Sequence, residues 1–203
     1  SYHKEWLDVG DGHQLYIEQS GNPNGIPVLY LHGGPGGGCS KNHRRYFDPS
    51  RYQIILFDQR GCGRSQPSPS IVNNTLEQLL ADIESIRQHL SISQWLITGG
   101  SWGTTLALAY GIKYADKVSG FILRGIFLGS QAEYNWLYKK EGVAKFYPEY
   151  YRRFIGHLTE KEQGDPLSTY YQKLTSDNEV AVISASKSWC LWELQLSTLE
   201  HHN

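Results

Sequence analysis

The sequence contains no methionine and only three cysteines, Cys39, Cys62 and Cys190, in 203 residues. Cysteines that are odd in number and widely spaced form neither a disulfide framework nor a zinc-binding pattern, so we expect reduced thiols and no metal site. Because even an initiator methionine is absent, we expect the chain to be part of a longer gene product. The length suits one ordinary domain, or one domain with a small insertion.

The sequence also lacks an excess of charge of one sign and long apolar runs. The formal net charge is −1 at pH 7, which argues against a nucleic-acid partner or an acidic membrane surface. No apolar run is long enough to cross a bilayer, and the polar N-terminal residues do not form a signal peptide. These features predict a protein of the cytoplasm with no membrane partner.

The sequence Gly-Gly-Ser-Trp-Gly at residues 99–103 is the pattern around which the chain is organised. The apolar residues 95–98 predict a buried strand before it, and residues 102–110 predict a helix after it. A serine on such a sharp strand-to-helix turn projects its hydroxyl above the strand end, near the positive end of the helix. Ser101 is therefore a candidate nucleophile, and an ordinary turn serine is the alternative.

A glycine-rich run, His-Gly-Gly-Pro-Gly-Gly-Gly at residues 32–38, follows the apolar strand predicted at 27–31. It could cradle a phosphate, but the Lys-Ser/Thr ending of a P-loop is missing. It could instead donate a backbone N–H to a developing oxyanion, and the serine turn downstream favours this interpretation. The predicted donors are the N–H groups of Gly34 and Trp102, and His32 is expected to hold the loop by a hydrogen bond.

Further apolar strands at 53–57 and 118–124 alternate with a helix that begins near Asn74 and Thr75. This alternation predicts an α/β fold, with a mostly parallel sheet covered by helices on both faces. Ligands bind at the carboxyl ends of such strands, where His32, Ser101 and Phe127 all lie.

Asp58 also follows a predicted strand end, and Arg60 and Arg64 flank it in the sequence. We interpret it as a paired structural carboxylate rather than a catalytic one.

The character of the chain changes near residue 131, where aromatic residues become interleaved with charged ones and buried strands stop. We predict a core domain over residues 1–130 and a helical cap over 131–203. On the last predicted helix, Trp189 and Glu193 share a face and could hold an ammonium group. A surface glutamate is the alternative.

Four stretches together resemble the proline iminopeptidases, serine peptidases with the α/β-hydrolase fold. They are HGGPGGG, DQRGCGRS, GGSWG and the late Trp-x-x-Trp-Glu that ends at Glu193. The resemblance implies release of N-terminal proline from a peptide substrate that has a free amino group, without metal or cofactor. It further implies Ser101 as nucleophile, Gly34 and Trp102 as oxyanion hole, Phe127 in the proline pocket and Glu193 as a ligand of the amino group.

The chain departs from the family pattern at its end. The catalytic aspartate and histidine, and a second amine-binding glutamate, are expected beyond the cap, where the sheet resumes. His201 and His202 do not match the catalytic position, so we expect a C-terminally truncated chain that lacks the last strands. Two alternatives stay open: an esterase or amidase for another acyl group, and an inactive truncated relative that only binds peptides. The sequence does not indicate an oligomeric state.

Overall fold

The computed structural model describes residues 1–197, and the chain divides into two compact units, Ser1–Gly129 and Ser130–Asn203. His201 and His202 lie outside the described residues. The first unit contains a six-stranded sheet with the strand order β1-β2-β4-β3-β5-β6. These strands are β1 His3–Asp8, β2 Gln14–Gly21, β3 Ile26–Leu31, β4 Tyr52–Phe57, β5 Trp95–Ser101 and β6 Val118–Ile126.

The four strands β4, β3, β5 and β6 are parallel, and the hairpin β1–β2 adds to them in antiparallel fashion. The predicted α/β sheet is therefore confirmed. Two α-helices complete the unit, α1 at Leu76–His89 and α2 at Trp102–Lys113, with 3-10 helices at Lys41–Tyr46 and Ala115–Lys117.

Within this unit both α-helices cover the same face of the sheet. Leu29 and Ile97 on that face pack with Ile83 of α1 and Leu106 of α2. The connections β4-α1-β5 and β5-α2-β6 advance in the same direction across the sheet, and right-handed crossovers then place their helices on one face. The connection from β3 to β4 runs the other way, so its 3-10 helix and Phe47 lie on the opposite face.

Helix α1 begins where its sequence predicts. The Thr75 side chain accepts a hydrogen bond from the N–H of Gln78, which satisfies one of the free donors of the first turn. Leu79, Leu80, Ile83 and Ile86 are buried against the sheet, as their helical spacing requires.

The second unit is helical throughout its described part. Its helices are α3 Gln131–Tyr138, α4 Pro148–Ile155, α5 Glu160–Gln163, α6 Pro166–Leu174 and α7 Glu179–Ser197, with a 3-10 helix at Val143–Lys145. Its core is aromatic: Phe154 stacks on Tyr170 with ring centroids 4.6 Å apart, and Trp192 is 1% exposed beside them. The role of this unit as a cap stays a prediction.

Across residues 1–197, no helix has the length and apolar character that a membrane span requires. The cytoplasmic location stays a prediction from the sequence.

Candidate active site

Ser101 lies at the junction of β5 and α2, with φ 54° and ψ −124°. A non-glycine residue with positive φ carries a backbone strain of about 1–3 kcal/mol, which persists only where the surroundings enforce it. The Ser101 side chain is exposed and makes no capping hydrogen bond to α2. The hydroxyl is thus presented to solvent at the carboxyl end of the sheet, above a helix N-terminus.

The turn around Ser101 depends on glycine two positions before it and two positions after it. A Cβ on Gly99 would lie 2.5 Å from the carbonyl oxygen of Gly103. A Cβ on Gly103 would collide with the carbonyl oxygen of Leu31, at the end of the neighbouring strand. The missing side chains therefore let α2 start directly beside the end of β3.

Replacing Gly103 with alanine is expected to lower the free energy of unfolding by about 1–3 kcal/mol, because backbone atoms have to move to make room for the methyl group. Urea denaturation measures the loss. Gly120→Ala is the matched control, since a Cβ there meets only the Leu96 side chain at an ordinary 3.4 Å. Equal stability of the two variants would contradict a tightly packed turn.

The loop at residues 32–38 is held by His32, which is 1% exposed. Its Nε2 accepts a hydrogen bond from the N–H of Gln59 at 3.0 Å, while its Nδ1 lies 2.9 Å from the carbonyl oxygen of Gly33 and 3.2 Å from the nitrogen of Gly38. Because a neutral ring that accepts at Nε2 carries its proton on Nδ1, that proton is donated to the Gly33 carbonyl. Burial lowers the pKa of His32, so the ring is neutral in this arrangement. The structure gives His32 the loop-holding role that the sequence predicts.

Gln59 is a site residue that the sequence did not predict. Its side chain is buried, donates from Nε2 to the carbonyl of His32 at 2.9 Å, and accepts from the indole Nε1 of Trp102 at 3.2 Å. One amide therefore links the glycine-rich loop to the first residue of α2. The N–H groups of a helix's first turn lack intrahelical partners, so the Trp102 N–H suits an incoming anion.

Asp58 is 1% exposed and belongs to the support of the site. Its carboxylate accepts from Arg64 Nε at 2.7 Å and from the N–H of Cys39 at 2.6 Å. Burial alone raises the pKa of Asp58, but these hydrogen bonds outweigh it and hold the pKa below its usual value. The predicted pairing is confirmed for Arg64 and wrong for Arg60, which turns away and binds Asp82.

A cleft of about 580 Å³ opens beside Ser101, and its lining residues include Gly33, His43 and Arg124. Arg124 donates from Nη2 to the hydroxyl of Tyr30 at 3.0 Å. Arg124 ends the strand predicted at 118–124, and nothing in its sequence pattern assigns it to the site. The cleft therefore contains a cation as well as the serine hydroxyl.

Phe127 directly follows β6, and the last residue of that strand, Ile126, pairs with Ser101. The backbone N–H of Phe127 donates to Thr104 Oγ1 of α2 at 2.9 Å. The structure thus fixes the Phe127 backbone against the turn that carries Ser101.

Glu193 lies on α7 in the second unit. One of its carboxylate oxygens, Oε1, accepts a hydrogen bond from the Tyr138 hydroxyl at 2.6 Å, and the Tyr138 ring stacks on Trp189 at 4.8 Å. The Glu193 carboxylate is therefore held by the Tyr138 hydroxyl, and the role of Glu193 as a ligand of an amino group stays a prediction.

The chain matches known proteins both in sequence and in fold. A family model described as alpha/beta hydrolase fold matches residues 26–200. The chain is 47% identical over 193 residues to a proline iminopeptidase of Xylella fastidiosa, covering 95% of this chain and 61% of that protein. It is also 47% identical over 194 residues to a proline iminopeptidase of Arabidopsis thaliana, covering 95% of this chain and 51% of that protein.

The chain thus spans between half and two thirds of the length of these curated relatives. Among solved structures, a proline iminopeptidase-related protein from Thermus thermophilus superposes with a TM-score of 0.61 at 20% identity, covering 96% of this chain and 66% of the other. The resemblance to proline iminopeptidases is confirmed at the level of sequence. With the family model matching residues 26–200, the chain belongs to the α/β-hydrolase fold family.

Proposed function

We propose that this protein is a serine aminopeptidase that releases N-terminal proline from peptides. The observation that carries the proposal is the strained turn at Ser101, whose exposed hydroxyl faces a cleft bordered by the glycine-rich loop. The similarity to proline iminopeptidases supports proline as the residue that is released.

The chemistry is acyl transfer. Ser101 Oγ bonds to the carbonyl carbon of the proline residue while its proton passes to a general base, and the N–H groups of Gly34 and Trp102 stabilise the oxyanion. Collapse breaks the C–N bond, and the leaving peptide amine takes the proton. Water then attacks the ester, which frees proline and restores the Ser101 hydroxyl.

His32 is not that base. Its Nε2 accepts the hydrogen bond of Gln59, and its Nδ1 proton is used by the carbonyl of Gly33. Burial also lowers the pKa of His32, which opposes the gain of a second proton. The general base that the reaction requires is therefore a group other than His32.

We assign recognition of the proline ring to Phe127 and recognition of the free amino group to Glu193. Phe127 offers an aromatic surface to the proline ring, and the Glu193 carboxylate binds the free amino group by charge and hydrogen bonding. Tyr138 donates to one Glu193 oxygen, Oε1, which leaves acceptor capacity on the carboxylate for an ammonium.

Blocking the substrate amine is expected to abolish turnover. We expect proline anilide to be cleaved and N-acetyl-proline anilide to be cleaved at least about 100-fold more slowly, since the acetyl group removes the positive charge that Glu193 would bind. Glu193→Gln is expected to raise KM about 10- to 100-fold with a smaller change in kcat. Initial rates on both substrates measure these effects.

Glu149→Gln is the matched control, because Glu149 is an exposed carboxylate on α4 that pairs with Arg152. It should leave KM unchanged. Equal turnover of the blocked and free substrates would refute the aminopeptidase and identify an esterase or amidase instead. Binding of proline peptides with no turnover would indicate a binding protein.

A further inference from the structure

The first turn of α2 carries two threonines, Thr104 and Thr105, whose hydroxyls meet the backbone of Phe127. Thr104 is fully buried, and its Oγ1 lies 2.7 Å from the carbonyl oxygen of Ser101 and 2.9 Å from the nitrogen of Phe127. Thr105 Oγ1 lies 2.7 Å from the carbonyl oxygen of Phe127. One helical turn therefore reaches both polar groups of the Phe127 backbone.

The direction of each hydrogen bond follows from the donors available. The Phe127 N–H is a donor only, so Thr104 Oγ1 accepts it. The single Thr104 proton then goes to the carbonyl of Ser101, which is nearer than the Phe127 carbonyl at 3.0 Å. Thr105 donates to the Phe127 carbonyl. A continuous chain of hydrogen bonds thus runs from Phe127 through Thr104 to the backbone of Ser101.

A local hydrogen bond to the carbonyl three residues earlier is ordinary for threonine in a helix, and it explains the Ser101 contact alone. The contacts with Phe127 span 22 and 23 residues and are not explained in that way. Phe127 lies one residue beyond the last β5–β6 pair, Ser101 with Ile126, so the sheet ladder no longer fixes its backbone. Beyond the end of the ladder, the hydroxyls of Thr104 and Thr105 hold the Phe127 backbone by hydrogen bonds.

We propose that Thr104 is a positioning residue that sets Phe127 at a fixed place relative to Ser101, and thereby sets the preference for proline over smaller N-terminal residues. This inference rests on the proposed function, in which Phe127 contacts the proline ring. Thr104 itself touches no substrate; it acts through the Phe127 backbone.

The test compares three variants of the complete protein, assayed on proline anilide and alanine anilide. Thr104→Val removes the hydroxyl at nearly constant volume and should lower the proline-to-alanine ratio of kcat/KM about tenfold. Thr104→Ser keeps the hydroxyl and should preserve the ratio within about twofold. Thr98→Val is the matched control: Thr98 also links β5 to β6, donating to the carbonyl of Ile122 at 2.9 Å, and its loss should not change the ratio.

Amide hydrogen exchange at Phe127, read by NMR, supplies a second measurement that needs no activity. It should be faster by about tenfold or more in Thr104→Val and unchanged in Thr98→Val. Unchanged exchange in Thr104→Val would overturn the inference. So would faster exchange with an intact proline-to-alanine ratio, since Thr104 would then be merely structural. Absence of proline release by the unmodified protein would instead refute the proposed function, while exchange still decides whether Thr104 holds Phe127.

Discussion

In the complete protein, replacing Ser101 with alanine is expected to reduce the release of proline from proline anilide by about 10⁴-fold or more, because the acyl-transfer route loses its nucleophile. The oxyanion donors alone leave only a small residual rate. The Ser101 side chain makes no capping hydrogen bond, so the fold should survive the change. Initial rates, with thermal unfolding of the same samples, separate loss of chemistry from loss of structure.

Ser119→Ala is the control for this experiment, because Ser119 is an exposed serine of the same sheet, on β6. It should keep the full rate. If Ser101→Ala retained more than about one hundredth of the activity, the nucleophile would have to be another group, and acyl transfer through Ser101 would be wrong.

Replacing Asp82 with alanine is expected to cost about 3–5 kcal/mol of the free energy of unfolding. Asp82 and Arg60 form a bidentate pair with N–O distances of 2.7 and 2.6 Å, and they are 1% and 3% exposed. Without Asp82, the Arg60 guanidinium keeps the carbonyl of Asn73 at 2.7 Å, and the nearest carboxylate is that of the exposed Asp11, 3.9 Å away. Such a loss is a large fraction of the stability of an ordinary domain.

Urea denaturation of three variants tests this expectation. The double variant Arg60→Met/Asp82→Leu removes both charges and should recover most of the lost stability, since two apolar groups need no partner. Asp116→Ala breaks a surface pair with Lys117 and should leave the urea midpoint unchanged. A small effect of Asp82→Ala would mean that water reaches Arg60 and that the pair is not a structural anchor.

The Arg60–Asp82 pair also connects the loop after β4 to α1, and that loop carries Gln59, which contacts both His32 and Trp102. We therefore expect the loss of Asp82 to affect the site indirectly, through the position of this loop.

The features that the sequence predicted are those encoded within a short stretch. The turn at Ser101 needs only a strand, two glycines and a helix within residues 95–113, and each has its own local pattern. The start of α1 at Thr75 is equally local. Such patterns reflect the backbone conformation directly, so they predict the strands and the sharp turn at Ser101.

The features that the sequence did not reveal depend on which strands become neighbours. Arg60 stands two residues from Asp58 in the chain, yet it binds Asp82, 22 residues away, because α1 passes over the loop there. Gln59 gains its importance from meeting His32 and Trp102, which only the sheet order brings together. The placement of both α-helices on one face follows from the same strand order.

The close approach between Gly103 and Leu31 has a consequence for how this sequence can evolve. The obstacle to a side chain at position 103 is a backbone carbonyl, so no change of side chain at position 31 removes it. A substitution at position 103 therefore has no compensating partner side chain, and each one carries at least the loss of stability expected for Gly103→Ala. Variation that leaves the stability intact is therefore expected at cleft-lining side chains such as His43 and Arg124, rather than in the turn beneath Ser101.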